Sequence, residues 1–268
     1  MPRPSRIRGR DFVKSPLVTR ECALMAELDR PQSWYDESMS QLIHPHRPRI
    51  VITGCGRTGT LYTCNLLALC GFRACHETIY CHEQSPDFPD LDKIDEQWRH
   101  ECFEVSWQAA PFIQYFTAET VVLHQTRNPL KSLRCWTVHH MLREENPTCE
   151  LVHKVFPECA VGTDLERAVA YHVLWNQLIE MDARSFAYQR FQVEKLDFDL
   201  VCGLLEYSQV PITELDDVLR SRIRFALQQS PRDINSCTHG PEDDITWDMV
   251  LKTPRGQELK DMAERYGY

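Results

Sequence analysis

The sequence predicts an α/β protein: a single domain whose parallel sheet is flanked by helices. Three observations predict it. Ile50-Val51-Ile52-Thr53 is an apolar, β-branched run that enters a glycine-rich turn, Gly54 to Gly59, and a helix-compatible segment follows from Leu61 to Cys70. Val121-Val122-Leu123 is a second short apolar run, suited to a parallel strand buried on both faces. Strand-like and helix-like segments alternate along the chain, which implies right-handed crossovers into one parallel sheet. The 268 residues suit one large domain with a sizeable core.

Each element has its own reason. Residues 1–48 read as an N-terminal arm followed by helices packed on the domain. Pro2 to Arg10 carries four arginines and no acid, and Thr19 to Ile43 can form one or two amphipathic helices broken at Pro31. Pro45 to Pro48 links into the first strand, and residues 49–268 form the domain. Gly71 is placed to cap the first helix of that domain. Arg73 to His76 reads as a short strand, Ser85 to Asp92 as a loop with two prolines, and Ser106 to Phe116 as helical despite Pro111. The strand Thr120 to Thr126 ends at Arg127-Asn128-Pro129, with Pro129 suited to the first turn of a helix running from Leu130 to Leu142. Asn146 to Thr163 reads as an irregular insertion. Leu165 to Met181 is helical, Phe186 to Val193 a strand, and Asp197 to Tyr207 a helix. Ile212 to Gln229 and Thr246 to Tyr268 are helical. The next strongly apolar strand after the first crossover is at Val121, later than a regular dinucleotide-binding half would place it.

Composition narrows the function classes. Thirty basic against thirty-nine acidic residues give a net charge of −9, which weighs against nucleic acid as a partner. No apolar run reaches membrane-spanning length and no export signal stands near Met1, so a cytoplasmic protein with no membrane partner is expected. The twelve cysteines include no Cys-x-x-Cys pair and read as reduced, mostly buried thiols. The cluster Cys64, Cys70, Cys75-His76 and Cys81-His82 lacks the paired spacing of a zinc site, and no metal is expected.

The chemistry concentrates in Gly54-Cys55-Gly56-Arg57-Thr58-Gly59-Thr60-Leu61. A strand, a glycine-rich loop and a helix, in that order, build an anion site: glycines let backbone N–H groups approach an oxyanion, and the helix N-terminus adds partial positive charge. No Gly-Lys-Ser/Thr follows, as a nucleotide triphosphate P-loop requires. Gly54, Gly56 and Gly59 do match the dinucleotide spacing Gly-x-Gly-x-x-Gly, and Glu77 lies near the place of a ribose-binding acid. Arg127 ends a strand, and ligands of parallel sheets sit outside the carboxyl ends of strands. Arg57 and Arg127 together suit a ligand with two separated anionic groups. His124, Gln125, His139-His140 and His239 read as structural.

At these residues the sequence resembles the sulfotransferases that use 3′-phosphoadenosine 5′-phosphosulfate (PAPS), especially bacterial-type members. Gly56-Arg57-Thr58-Gly59-Thr60 is similar to the family's 5′-phosphosulfate loop. Gly71 to Glu77, with Ser106-Trp107 after it, resembles the Gly-to-His-Glu segment and its Ser-Trp pair. Leu123 to Leu130 resembles the 3′-phosphate strand and helix, and Phe191 to Leu196 the late strand. Ile245-Thr246-Trp247 and Arg265 to Tyr268 are a weaker match. The resemblance implies a single P-loop-like domain that binds PAPS, with PAP as product and no metal. It implies a catalytic role for Arg57 and a base at Glu77, with His76 as its alternative. It also implies cofactor contacts from Cys55, Gly56, Arg57, Thr58, Gly59, Thr60, Leu61 and Arg127, and a small-molecule acceptor carrying a hydroxyl or amine. One departure stands out. The family places a serine eight residues after the 3′-phosphate arginine, where this chain has Cys135; the nearest hydroxyl is Ser132, and a thiol is a poor phosphate donor. The alternatives are an NAD(P)-binding oxidoreductase built on the glycine spacing and a catalytically inactive anion-binding protein of the same fold.

Overall fold

The sheet is built from β1 (Ile50–Thr53), β2 (Ala74–His76), β3 (Phe103–Val105), β4 (Val121–Thr126) and β5 (Ala187–Gln192), all parallel, in the order β2-β3-β1-β4-β5. These coordinates come from a computed structural model, which describes residues 48–81, 89–99, 101–144, 146–210, 217–230 and 244–268. The chain divides into a unit of Met1–Ile43 and a unit of His44–Tyr268. The described residues all belong to the second, so the expected N-terminal arm and helices, His82 and His239 lie outside them.

Every residue of β1, β3 and β4 is buried. Such strands are covered on both faces, which is why their sequences show no polar alternation. Ile52 pairs with Val105 on one side and Leu123 on the other, and Thr53 pairs with His124. The connections after β1 and β2 build the β2–β3 side of the sheet, and those after β3 and β4 build the β4–β5 side. The strand order therefore reverses across β1, and the crevice outside its carboxyl end is the topological switch point where ligands bind in open parallel sheets.

Helix α1 (Thr60–Leu69) follows β1 and ends at Gly71, whose φ is 97°. Helix α2 (Leu91–Trp98) precedes β3. A 3-10 helix over Trp107–Tyr115 precedes β4 and accommodates Pro111. Helix α3 (Pro129–Val138) has Pro129 in its first turn and Asn128 as N-cap, its side chain accepting from Leu130 N–H. Then come α4 (Pro147–Val155) and α5 (Asp164–Asp182), the latter opened by a full capping box of Thr163 and Glu166. Helix α6 (Phe198–Tyr207) is capped by Asp197. Helices α7 (Asp217–Gln229), α8 (Trp247–Val250) and α9 (Gly256–Tyr266) complete the order. None of the described helices is long and apolar enough to cross a membrane.

The largest core cluster centres on α5, which packs on α3, α9 and the 3-10 helix. Its heart is aromatic: Tyr171 lies 4.4 Å from Trp136 and 5.2 Å from Trp175 between ring centroids, and Trp107 lies 5.3 Å from Trp175. Such offset and tilted pairs add about 0.5–1.5 kcal/mol each beyond area burial.

The parallel sheet flanked by helices is the predicted fold class. Several elements differ from the sequence reading. Strand β3 was not expected, so Val121 is not the next strand after the first crossover, and late strand spacing no longer argues against a dinucleotide fold. Residues 147–155, expected to be irregular, form α4, because Pro147 opens a helix rather than breaking one. The expected helix from Leu130 to Leu142 stops at Val138, and the C-terminal helix is two helices separated by a turn containing Pro254.

Candidate active site

The loop after β1 is fastened from its core side. Gly56 N–H donates to the Tyr171 hydroxyl at 2.8 Å, and Gly56 O accepts from Trp136 Nε1 at 2.8 Å. A Cβ at Gly56 would lie 2.4 Å from Trp136 Cζ2, so only glycine fits. Thr58 Oγ1 and Thr58 N–H both donate to Cys55 O, at 2.7 and 3.3 Å. Gln125, from β4, donates to Thr58 O at 2.8 Å and accepts from Thr63 Oγ1 at 2.6 Å. Cys55 turns its sulfur into the core, where Asn176 Nδ2 donates to it at 3.0 Å and burial pushes the thiol pKa up.

These bonds narrow the anion cradle expected around Gly56 to Thr60. Gly56 N–H, Thr58 N–H and the Thr58 hydroxyl already have internal acceptors. What faces outward is the start of α1. Gly59 sits at φ 94° as its N-cap and offers no side chain to the first N–H groups, which have no intrahelical acceptor. Asp90, Asn128, Thr163 and Asp197 cap their own helices with side-chain oxygens. Leu61 lies in this first, uncapped turn.

Arg57 has left-handed backbone, φ 67°, at the crest of the loop. Arg127, just past β4, donates from Nη1 to Arg57 O at 3.0 Å, so the two cationic residues share one sheet edge. Arg57 Nε donates to Cys135 Sγ at 2.9 Å. Cys135 is disulfide-bonded, whereas nine described cysteines are free. That departs from the expectation of reduced thiols, and it leaves the Cys135 sulfur with no proton to donate. Ser132, one turn earlier on α3, is fully buried, and its hydroxyl has no hydrogen-bond partner among the described residues.

On the other side of α1 stand the two candidate bases. Thr60 Oγ1 is 3.0 Å from His76 Nε2, and that nitrogen is 3.5 Å from Glu77 Oε1. Adjacent residues of a strand point to opposite faces, but Glu77 has left-handed backbone, φ 52°, and this brings both side chains together. Non-glycine residues in that region are uncommon, cost about 1–3 kcal/mol and cluster at functional sites. Arg57 and Glu77 are two of the four described here.

Sequence reasoning missed three residues that shape this region. Gln108 Nε2 donates to Glu77 Oε2 at 2.9 Å. Glu104, in the middle of β3, is fully buried and accepts from Thr78 N–H (3.1 Å), Tyr80 N–H (3.4 Å) and the Cys75 thiol (2.8 Å), which pins the turn after Glu77. Burial raises its pKa from 4.5 to about 8, against the lowering effect of those donors. Glu194 accepts from Asn128 N–H at 2.8 Å and from the Tyr268 hydroxyl at 3.2 Å, tying the end of the chain to the start of α3 beside Arg127. No local pattern marks Gln108 or Glu104, and Glu194 lies in the segment Phe191 to Leu196, matched as a strand with no role given to the acid.

His124 is structural, as expected. Its Nδ1 lies 2.8 Å from the Tyr188 hydroxyl and its Nε2 2.8 Å from Asn176 Oδ1, and burial lowers its pKa to about 3. His140 belongs to a surface cluster with Asp164 and Arg143. Among the described residues no group of three or more His, Cys, Asp or Glu could hold a metal ion.

No protein-family model and no curated protein matches the sequence. Among solved structures, that of mouse sulfotransferase SULT7A1 complexed with PAP aligns over 85% of this chain and 88% of its own, at 10% sequence identity and a TM-score of 0.38. A likeness of that size carries no argument about chemistry.

The arrangement itself does carry one. An uncapped helix start, two strand-end arginines and a carboxylate converge on one sheet edge. Such a set can hold a phosphate-bearing group, neutralise charge on it and remove a proton from an incoming nucleophile.

Proposed function

We propose that the protein is a sulfotransferase that moves a sulfuryl group from PAPS to a hydroxyl or amine of a small-molecule acceptor. The observation that carries the reading is the strand order. A dinucleotide-binding half places β2 directly beside β1, in the order 3-2-1. Here β3 stands between them, and the glycine spacing sits on a different sheet. The same order sets His76 and Glu77, at the end of β2, across from Arg57 and Arg127, at the ends of β1 and β4, and a transfer reaction needs the acid and the cations on one edge.

Each residue then has a role. The first N–H groups of α1 hold the 5′-phosphate. Arg127 and the buried hydroxyl of Ser132, which has no partner among the described residues, suit the 3′-phosphate. Arg57 neutralises the charge that grows on the phosphate oxygen as the sulfur–oxygen bond breaks. Glu77 takes the acceptor's proton. A bond from sulfur to the acceptor's oxygen or nitrogen forms as the sulfur–oxygen bond to the 5′-phosphate breaks, PAP leaves, and the acceptor's proton ends on the carboxylate. Sulfuryl transfer depends on positioning and charge stabilisation, as phosphoryl transfer does.

The test is thermal unfolding with PAP, NAD and NADP. A ligand bound only by the folded state stabilises it by about 2.7 kcal/mol at a hundredfold excess over its Kd. PAP is expected to raise the melting temperature, and NAD and NADP to leave it unchanged. A shift with NAD or NADP and none with PAP would replace this reading with the oxidoreductase one. A PAP shift without release of PAP from PAPS would leave an inactive binding protein.

A further inference from the structure

Two energetic costs meet at the Glu77 carboxylate. Glu77 itself sits in left-handed backbone. Gln108, whose Nε2 donates to Glu77 Oε2 at 2.9 Å, is 5% exposed, and its own Oε1 is buried with no partner among the described residues. A buried amide with one end unpaired costs stability, and the usual remedy is to rotate the amide. Rotation here would set Gln108 Oε1 against the Glu77 carboxylate, acceptor against acceptor. The amide is therefore held by its donor end, at the expense of its acceptor end.

The platform under Gln108 is rigid. Its N–H donates to Ser106 Oγ at 3.1 Å, Ser106 Oγ donates to Tyr80 O at 3.0 Å, and Trp107 O accepts from Trp175 Nε1 at 3.1 Å. The second of these links ties the platform back to the turn that follows Glu77. Buried groups left unsatisfied in a native structure call for an explanation, and catalytic positioning supplies one.

We propose that Gln108 is the positioning residue for Glu77: its amide holds Oε2, so that Oε1, on the His76 side, receives the acceptor's proton. This rests on the sulfotransfer reading. His76 from β2 faces the carboxylate, the buried Tyr171 phenol from α5 feels its charge, and Glu104 of β3 lies behind the turn.

The experiment measures release of PAP from PAPS, with water and with a simple phenol as acceptors, alongside PAP-induced thermal stabilisation. Gln108→Met keeps the bulk and removes the donor. It is expected to lower kcat about 10–100-fold, with KM for PAPS and the PAP-induced shift unchanged. Gln108→Glu places a second carboxylate on Glu77, and the pair retains one proton on the acid side. Its activity should survive at low pH and fall as that proton is lost, adding an alkaline limb that the parent protein lacks. Parent-like kcat in Gln108→Met, or a parent-like pH profile in Gln108→Glu, overturns the proposal while PAP binding and turnover by the parent still support sulfotransfer. A parent protein that PAP does not stabilise removes the sulfotransfer reading and this proposal together, and one that binds PAP without turning over PAPS removes this proposal.

Discussion

Glu104 offers a test that needs no ligand. Its carboxyl is fully buried in the middle of a three-residue strand, and burial raises its pKa from 4.5 to about 8. A carboxyl whose folded pKa exceeds its unfolded value contributes stability that is present in full below the unfolded value and is lost as pH rises through the folded one. Between 4.5 and about 8 the folded state holds a proton that the unfolded chain has released, so stability falls by about 1.4 kcal/mol per pH unit. Two buried histidines work in the opposite direction. His124 and His172 are lowered from 6.5 to about 3 and about 4 by burial. The unfolded chain gains their protons below pH 6.5 and the folded one does not, so each makes stability rise with pH up to that point. Two rising contributions against one falling put the maximum from these groups near pH 6.5, with a net decline of roughly 1 kcal/mol from there to pH 8. Glu104→Gln keeps the shape, and its amide oxygen can still accept from Thr78 and Tyr80, but it cannot titrate. Urea unfolding of both proteins across this range is the assay. The variant should lose the alkaline decline and keep the acid limb. Parallel curves above pH 6.5 would falsify the claim that Glu104 is held protonated.

Two further outcomes are expected. Arg57→Ala should lose most turnover while still binding PAP, and Arg127→Ala should mainly weaken PAP binding; steady-state kinetics with PAPS and titration with PAP separate the two, and normal turnover in Arg57→Ala removes it from the chemistry. Ser132→Ala deletes a buried hydroxyl that has no partner among the described residues; the ligand-free protein should be as stable or up to about 1–3 kcal/mol more so, and PAP affinity should fall up to about tenfold, whereas unchanged affinity leaves the 3′-phosphate to Arg127 and the backbone.

The legible parts of the fold are those whose signals are local. The β-branched run of β1 and the apolar run of β4 announce themselves because both faces are covered, and Gly59 and Gly71 mark the ends of α1 because both need positive φ. Phe103-Glu104-Val105 hid because a strand with an acid at its centre reads as exposed. What makes Glu104 tolerable there comes from a different segment, Cys75 to Tyr80. Helix α4 hid because the proline at its start reads as a breaker. The loop and both arginines could be picked out by residue type and position at strand ends. Gln108 could not, because its contact with Glu77 spans 31 residues and depends on the turn that Glu104 pins. The rule that neighbours on a strand diverge misjudged His76 and Glu77, since the strand ends at His76 and Glu77 already turns.

The bond from Trp136 Nε1 to Gly56 O gives the loop an optical readout. Indole emission responds to what its N–H touches, and here it touches the backbone of the anion loop. Trp107 and Trp175 lie in the same cluster, with Trp107 6.2 Å from Trp136 and 5.3 Å from Trp175, close enough to share excitation. Half of the six tryptophans therefore watch one carbonyl group. Any occupant of the loop that draws Gly56 away from Trp136 changes the intrinsic fluorescence of the unlabelled protein, and stopped-flow mixing can follow that change in time.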